Sequence, residues 1–509
     1  MAILNAYSYV LIASAVFICV CACWRRIRRA RNLLWHLPHF PTLPIIGNIH
    51  QMYGDSEFLC RQVMGVTKMM NDTRLPFVSW LGPIPVVAVS EPLDVKAVSN
   101  CYLEKPYTYE FAHNLLGQGL ITAPGSIWKH TSKKLSGVFT TGIVDGYLDI
   151  FNAAAQKLVT MMKAEVGKEP FDISHKYVTK ISLESIYHVT LGVPRTEECA
   201  VTDEYHRKLS RAMELYLFRG VTPLLHFNFL YRLMPAYKEL TKCEEWLKNT
   251  AERVINKRKE ERTCAERNGI MKPNMKESSK SKFLPFCDVL LSLSESDPVF
   301  TRRQLVYELT TIMAAGHDTV SHVLTMSLIM IGSHPHVQDK LHEEIRAIFG
   351  ASKRAVTKDD LCQLRYCEAV INETLRLYPA VPLVLRHADK DLQLQACTIP
   401  KGVSCVINIL AAGLSQHSWG ADADSFRPER WLEPQQPGQT HFFIPFSHGK
   451  RACIGKRYAM SMMKTCIAHC VRELVLSADI SDLRFKIAVT MQPISGHLVQ
   501  VRLRENEFD

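Results

Sequence analysis

The segment 443–455 constrains this chain most, because it is a glycine-rich loop that carries one cysteine at the start of a helix. Cys453 directly precedes an apolar stretch whose periodicity predicts a helix over 454–474. The amino end of that helix would stabilise a negatively charged sulfur. Gly449 and Gly455 let the loop turn and let its backbone approach a flat ligand. The residues alone leave two alternatives for Cys453, a thiolate ligand and a cysteine that only packs.

Two further side chains of this loop suit a thiolate. Phe446 can pack beside the sulfur and limit its oxidation. Arg451 can bind an anionic group of a cofactor. The chain has 16 cysteines, and most lie scattered in apolar stretches, as Cys466 and Cys470 do. No pair of C-x-x-C motifs has the spacing of a zinc site. The other cysteines are therefore expected to pack as reduced thiols, in a domain that faces the cytosol.

Helical periodicity dominates the chain beyond residue 50. Amphipathic stretches predict helices over 146–166, 174–191, 203–219, 237–262, 301–332, 335–349, 359–378 and 454–474. Alternating apolar and polar residues predict strands within 76–89, 392–407 and 483–503. The polar segment 263–282 is interpreted as a mobile surface loop. The expected fold class is mainly α, with one large α-rich domain and small β-sheets.

The N-terminal segment predicts a membrane anchor. Residues 7–24 are almost all apolar and have the length of a membrane-spanning helix. Five arginines follow within 25–31 and supply five units of the formal net charge of +11. Positive charge after the apolar run favours a retained anchor with its N-terminus in the lumen over a cleaved signal peptide. Because so much of the charge lies in this cluster, and no nucleic-acid-binding motif accompanies it, we expect no nucleic-acid partner.

These features divide the chain into three parts. Residues 1–31 form the expected anchor with its basic flank. Residues 32–50 contain spaced prolines, which cannot continue a helix and predict a stiff linker. Residues 51–509 form the expected catalytic domain.

The loop has a sequence that is specific to one family. Phe446, Gly449, Arg451, Cys453 and Gly455 match the pattern F-x-x-G-x-R-x-C-x-G at every fixed position. The chain therefore resembles the cytochrome P450 superfamily. The resemblance implies non-covalent haem b (iron protoporphyrin IX), with Cys453 as the axial ligand of the iron.

A second motif has two readings. Glu373 and Arg376 are three residues apart on a predicted helix, where the residues alone favour an exposed ion pair. The resemblance instead implies a buried trio with Arg430, from the segment 426–431, that supports the haem loop.

A third motif lies inside the long apolar stretch 301–332. Asp318 and Thr319 are costly in a buried helix unless they are used, although a threonine there can simply bond to an earlier carbonyl and bend the helix. The resemblance implies that they deliver protons to dioxygen. It also implies that Ala315 and Gly316 let the helix pass close over the haem.

The resemblance places the haem propionates near Trp128, Arg386 and Arg451. Ser132 departs from the family pattern, because a basic residue is expected four positions after this tryptophan. Lys129 and Lys133 are candidate replacements, or the propionates rely on the two arginines.

The motifs look most like clan 4 of the superfamily, including its insect members. Many clan 4 relatives carry a glutamate that esterifies the haem at the position of Ala315, so strict ω-hydroxylation of fatty acids is not carried over. The implied reaction is insertion of one oxygen atom from O2 into an apolar small molecule: a lipid, terpenoid, odorant or xenobiotic. The alternatives are a haem-thiolate isomerase or dehydratase of oxidised lipids, and a haem-binding protein without turnover.

The chain shows no flavin- or dinucleotide-binding motif. The resemblance implies electrons from NADPH through a flavoprotein reductase, with cytochrome b5 as a second candidate donor. It also implies a location on the cytoplasmic face of the endoplasmic-reticulum membrane. Basic residues flank the haem-ligand side, either as docking groups for an acidic partner or as ordinary surface charge: Lys129, Lys133, Lys134, Lys450, Lys456 and Arg457.

Overall fold

The computed structural model describes residues 2–192, 200–267, 283–434 and 439–504. Its α-helices are α1 (Ala2–Leu34), α2 (Ser56–Thr73), α3 (Pro92–Cys101), α4 (His113–Leu116), α5 (Gly125–Leu135), α6 (Thr141–Asp145), α7 (Leu148–Lys163), α8 (Lys180–Leu191), α9 (Ala200–Val221), α10 (Asn228–Leu233), α11 (Pro235–Arg267), α12 (Phe286–Ser296), α13 (Arg302–Ser333), α14 (Pro335–Phe349), α15 (Lys358–Gln363), α16 (Arg365–Leu377), α17 (Ile409–Gly413), α18 (Gln416–Trp419) and α19 (Lys456–Glu473).

The strands are short and form four small sheets in the described part of the chain. They are β1 (Phe77–Leu81), β2 (Ile84–Val89), β3 (Phe171–Asp172), β4 (Leu383–His387), β5 (Leu392–Gln393), β6 (Thr398–Ile399), β7 (Ser404–Asn408), β8 (Leu474–Ala478), β9 (Arg484–Ile487), β10 (Met491–Ser495) and β11 (Leu498–Leu503). The largest sheet has the order β1-β2-β7-β4, in which β2 and β7 are parallel and the other pairs are antiparallel. The other sheets are β3-β11-β8, β10-β9 and β5-β6.

The main hydrophobic core surrounds α13. This helix is 32 residues long and is capped at its start by Thr301, whose side chain accepts a hydrogen bond from the backbone N–H of Gln304. It packs against α8, α16 and α19, and α19 packs against α7. A fully apolar environment requires a helix that is apolar on all sides, which explains why α13 carries few charges. The expected mainly α class with small sheets is confirmed.

The predicted stretch 359–378 is two helices, because the chain turns at Leu364 between α15 and α16. The side chain of Glu344 accepts hydrogen bonds from the backbone N–H groups of Tyr366 (2.6 Å) and Cys367 (2.9 Å). This carboxylate satisfies the first donors of α16, so α16 can begin without continuity from α15.

Two other predictions differ in their bounds. A π-helical turn over Ser174–Thr179 precedes α8, so only part of the predicted helix 174–191 is α-helical. The predicted loop 263–282 was wrong at its start, because α11 continues to Arg267. Residues 268–282 lie outside the described residues.

Helix α1 contains the segment that was expected to be an anchor. Its last turns lie on the catalytic body, where Ala30 and Leu34 are buried and Arg29 forms an ion pair with Asp391. The expected boundary after residue 31 falls within α1. In the part of the chain that the structure describes, no helix is both long enough and apolar enough to cross a membrane, so the expected transmembrane anchor is not confirmed.

A buried carboxylate joins α16 to the segment that leads into the cysteine loop. Glu373 accepts hydrogen bonds from Arg376 Nε (2.9 Å) and Nη2 (2.8 Å), from Arg430 Nε (2.8 Å) and from Trp431 Nε1 (3.0 Å). Both arginines are buried, and their remaining N–H groups donate to backbone carbonyls such as those of Gly413 and Trp419. The trio that the family resemblance implied is thus brought together in the core.

We predict that Glu373→Gln lowers the free energy of unfolding by about 3–5 kcal/mol, because buried Arg376 loses its counter-charge and Arg430 keeps only its ion pair with the partly exposed Asp422. Arg61→Ala is the control, since it removes an ion pair with Glu57 from the exposed face of α2. That variant should cost about 0–1 kcal/mol. Urea denaturation followed by circular dichroism measures both values. Equal losses in the two variants would contradict a structural role for the trio.

Candidate active site

The loop before α19 is folded so that Cys453 faces inward. The backbone N–H of Cys453 donates to the carbonyl of Phe446 (2.8 Å) and closes the loop. Gly449 has a φ of +72°, and a Cβ atom there would lie 2.8 Å from the carbonyl oxygen of Ser99. Only glycine fits this position, because both the left-handed backbone and the close approach exclude a side chain.

The sulfur of Cys453 lies at the amino end of α19. Burial raises the pKa of Cys453, while hydrogen bonds from the backbone N–H groups of Gly455 and Lys456, and the charge of Lys456, act to lower it. Cys453 nevertheless has accessible surface. Because protein also surrounds the residue closely enough to desolvate its thiol, the sulfur faces a space that protein encloses. Cys466 and Cys470 are fully buried and have raised pKa values, with desolvation as the largest cause. Among these three cysteines, only Cys453 combines access with backbone donors.

Helix α13 borders an internal space at its centre. Between Glu308 and Gly332, every residue is buried except Ala315, Gly316, Asp318 and Thr319. A helix surrounded by protein exposes four neighbouring positions only where it lines a cavity. The absent Cβ of Gly316 would lie 2.8 Å from Cδ1 of Ile186. The glycine therefore permits close packing on α8, and its expected close approach to the haem stays a prediction.

Asp318 and Thr319 have separate partners. The Thr319 hydroxyl donates to the carbonyl of Ala315 (2.8 Å), which is the helix-bending bond considered above. The hydroxyl of Thr490 donates to Oδ2 of Asp318 (2.7 Å). Burial raises the pKa of Asp318, although the Thr490 bond and the charge of His175 act to lower it. The Asp318 carboxyl therefore holds a proton at higher pH than an exposed aspartate does.

A buried arginine and a half-buried arginine converge near the cysteine loop. Arg386 lies on β4 with 1% of its surface exposed, and its Nη1 donates to the carbonyl of Leu385 (2.9 Å). Arg451 donates from Nη2 to the carbonyl of Ala123, and its guanidinium carbon lies 4.8 Å from the centre of the Trp128 ring. Within the described ranges, the Nε of Arg386 and the Nε and Nη1 of Arg451 have no hydrogen-bond partner.

A half-buried lysine lies beside them. Burial lowers the pKa of Lys105 far below its usual value, and repulsion from Arg386 and Arg451 adds to the effect. The Lys105 Nζ lies 4.6 Å from the centre of the Tyr109 ring. Arg386 and Arg451 have N–H groups that lack acceptors in the described part of the chain, so an anionic partner suits this place.

Comparison with known proteins decides which family has this arrangement. The family model described as "Cytochrome P450" matches residues 37–495. The chain belongs to the cytochrome P450 family. It is similar to cytochrome P450 4c21 of Blattella germanica, with 29% identity over 94% of this chain and 95% of that protein. It is also similar to cytochrome P450 4V2 of Mus musculus (29% identity, 91% and 89% covered) and cytochrome P450 4c3 of Drosophila melanogaster (27%, 94% and 92%).

These relatives place the chain in clan 4 of the P450 family. The chain is a cytochrome P450 monooxygenase, and its cofactor is thiolate-ligated haem b. NADPH typically supplies the electrons of such an enzyme through a reductase.

The cation cluster fits this P450 cofactor. Haem b carries two propionate carboxylates, and the unpaired N–H groups of Arg386 and Arg451 are donors of the kind that carboxylates accept. Lys129 and Lys133, the candidate replacements for the base missing at Ser132, are both exposed. The lysine that lies beside Arg386 and Arg451 is instead the half-buried Lys105, which sequence reasoning missed. No motif marks Lys105, because its role arises only from the folding of residues 105, 386 and 451 into one place.

We predict that Arg386→Leu accelerates haem loss by about 10- to 100-fold, the effect of losing one charge-assisted hydrogen bond. The measurement is the transfer of haem from the purified P450 to an excess of apomyoglobin. Lys129→Leu is the control, because it removes an exposed positive charge on α5. If haem loss from the Arg386 variant matched that from the control, Arg386 would not bind the cofactor.

Proposed function

We propose that this P450 inserts one oxygen atom from O2 into an apolar small molecule, with Cys453 as the axial ligand of the haem iron. The observation that carries the proposal is the position of the Cys453 sulfur. It is accessible from an enclosed space, and two backbone N–H groups at the start of α19 point to it. Bound haem supplies iron for the activation of O2, and a thiolate ligand favours cleavage of the O–O bond.

Haem binding is assigned to side chains on several elements. Phe446, Gly449 and Gly455 shape the loop around the sulfur. Trp128, Arg386 and Arg451 hold the propionates, whose negative charge favours the protonated form of Lys105 beside them. Ala315, on the partly exposed stretch of α13, has no carboxyl group, so the haem is held without an ester bond.

Proton delivery is assigned to Asp318 and Thr319. Both lie on the partly exposed stretch of α13. The raised pKa of Asp318 suits a carboxyl group that gives up a proton and takes it back. Thr490 fixes Oδ2 of this carboxyl group by its hydrogen bond. The Thr319 hydroxyl can exchange its bond to Ala315 for a bond to water in the cavity. Such a pair favours a monooxygenase over an isomerase or a haem carrier, since neither alternative consumes protons with O2.

The proposed substrate cavity lies beside α13. Three contacts bring segments that are far apart in the sequence together there. The Leu120 N–H bonds to Glu308, the Met491 N–H bonds to the carbonyl of Ala380, and Thr490 bonds to Asp318. Walls from these segments suit an apolar lipid, terpenoid, odorant or xenobiotic that enters from a membrane.

The electron donor is proposed to be an NADPH-dependent flavoprotein reductase, with cytochrome b5 as a second donor. The six basic residues named for docking are all exposed. Their charge suits an acidic partner surface. We further propose that the protein works at the cytoplasmic face of the endoplasmic-reticulum membrane, to which the apolar first part of α1 attaches it.

Cys453→Ser is predicted to abolish the carbon-monoxide difference spectrum of a thiolate-ligated haem, because serine provides no thiolate. Cys466→Ser and Cys470→Ser are matched controls, since both positions lie buried on the same helix that follows Cys453. Both controls should keep the spectrum. The assignment would be wrong if Cys453→Ser kept it.

Thr319→Ala is predicted to lower the product formed per NADPH and to raise hydrogen peroxide release, while haem content stays unchanged. A general acid typically contributes about 10²–10⁴-fold to a rate, and water in the cavity replaces part of that contribution. Thr310→Ala is the control, because Thr310 makes the same type of bond to Val306 but is buried. The measurement is product and peroxide per NADPH in the reconstituted system. Unchanged coupling in Thr319→Ala would leave this hydroxyl with only its helix bond.

A further inference from the structure

Glu308 is a buried carboxyl group that the proposed reaction does not use. It lies on α13 and is fully buried. Its Oε2 accepts a hydrogen bond from the backbone N–H of Leu120 (3.0 Å), and its Oε1 accepts one from Nε2 of Gln304 (2.8 Å). The same Gln304 amide donates to the carbonyl of Gln118 (2.9 Å). Both contacts hold one loop, residues 117–120, against α13.

The loop backbone lies very close to the helix. A Cβ atom at Gly119 would lie 2.3 Å from Oγ1 of Thr311 and 3.0 Å from the carbonyl oxygen of Tyr307. No larger residue fits at this position without moving the loop away from α13. The missing side chain of Gly119 thus lets the backbone of the loop contact α13 directly.

The place where the loop is held lies on the cavity side of α13. Glu308 precedes Ala315 by seven residues, which is about two turns, or about 10 Å along the same helix face. Beyond Leu120 the chain reaches Ala123, whose carbonyl accepts a hydrogen bond from Arg451. The stretch 120–123 is therefore fixed at one end by Glu308 and at the other by the cysteine loop.

Two apolar side chains lie on this fixed stretch. Leu120 is half-buried, and Ile121 is 37% exposed, although their neighbours Thr122 and Ala123 are buried. Apolar side chains that remain accessible on a rigid segment next to a cavity are suited to contact an apolar ligand.

We propose that Glu308 is a positioning residue that fixes Leu120 and Ile121 as a rigid wall of the substrate cavity and so limits which molecules bind there. The proposal rests on the function proposed above. Glu308 contacts neither substrate nor cofactor in this role. It acts through the Leu120 backbone.

The chemistry of Glu308 determines which variants distinguish this positioning role from a general structural role. Burial raises the pKa of Glu308 to about 7, while the bonds from Leu120 and Gln304 act to lower it. Because the group is partly neutral near pH 7, glutamine is a close substitute that keeps an oxygen acceptor. Leucine has a similar volume and no acceptor. Ser327→Ala is the matched control, since Ser327 is a buried polar residue farther along α13.

The first measurement is hydrogen–deuterium exchange by mass spectrometry on the full-length haem-loaded protein. Glu308→Leu should exchange the Leu120 amide about tenfold faster or more, which corresponds to the loss of one hydrogen bond. Glu308→Gln and Ser327→Ala should exchange at nearly the wild-type rate. Wild-type exchange in Glu308→Leu would overturn the proposal.

The second measurement tests the wall itself with two probes that ligate haem iron, imidazole and 4-phenylimidazole. Their dissociation constants are obtained from the shift of the Soret band. In Glu308→Leu, binding of 4-phenylimidazole should weaken by about 3- to 10-fold relative to imidazole, because the phenyl ring loses part of an apolar contact surface. Glu308→Gln should restore the wild-type ratio. Faster exchange with an unchanged ratio would show a structural role only and would overturn the proposal.

Two further outcomes remain decisive. If Glu308→Leu takes up no haem, Gln304→Leu replaces it, because that variant removes the bond to Gln118 and one bond to Glu308 but keeps the bond from Leu120 to Glu308. Exchange should then be faster over the peptide that covers residues 117–120, and the same change in the azole ratio is required. If the wild-type protein shows no azole-induced shift, the proposed function itself fails. A normal wild-type shift with no effect of either variant rejects only the role of Glu308.

Discussion

The arrangement of the active site depends on one buried carboxylate. Glu373 is bonded to two arginines and to the indole of Trp431. The centre of the Trp431 ring lies 4.4 Å from that of Phe443, the residue from which the cysteine loop starts. The ring contact between Trp431 and Phe443 thus supports the loop, and the hydrogen bond to the Glu373 carboxylate fixes Trp431. Burying these ions has a large desolvation cost, which is offset because both arginines also donate to backbone carbonyls and Glu373 also accepts from the backbone N–H of Arg427.

Two clusters of basic side chains in this protein differ in whether their N–H groups have protein partners. Around Glu373 the arginines are paired, and they hold the core together. Around Arg386 and Arg451, donor groups are left without protein partners. The fold therefore leaves arginine N–H donors without acceptors among the described residues, near an accessible thiol. In the proposed haem site these donors orient the ring as well as bind it, since only the edge that carries the propionates has anionic acceptors.

Sequence patterns predicted those parts of the fold and site that depend on residues close together in the chain. The ten-residue cysteine motif, the Glu373–Arg376 pair and the Ala315–Thr319 segment are all local, and their fixed spacing indicated the family. The helix periodicity located α13 and α19 to within two residues. The break before α16 was not predicted, because it depends on Glu344, which lies 22 residues from the N–H group of Tyr366.

Longer-range contacts gave no sequence signal. Leu120 and Glu308 are 188 residues apart, and Asp318 and Thr490 are 172 apart. Lys105 is likewise brought to Arg386 and Arg451 by folding alone. Glu308, Thr490 and Lys105 were not predicted, because each is ordinary in its local sequence and its contact forms only when distant segments fold together.

The way in which α1 ends has a mechanical consequence. The helix is continuous from Ala2 to Leu34, and its last turns are packed into the body through Ala30 and Leu34. The segment of spaced prolines begins only after this attachment. The proline-rich segment therefore does not act as a swivel between the first part of α1 and the catalytic body. Any surface that holds the start of α1 therefore also restrains the tilt of the catalytic body.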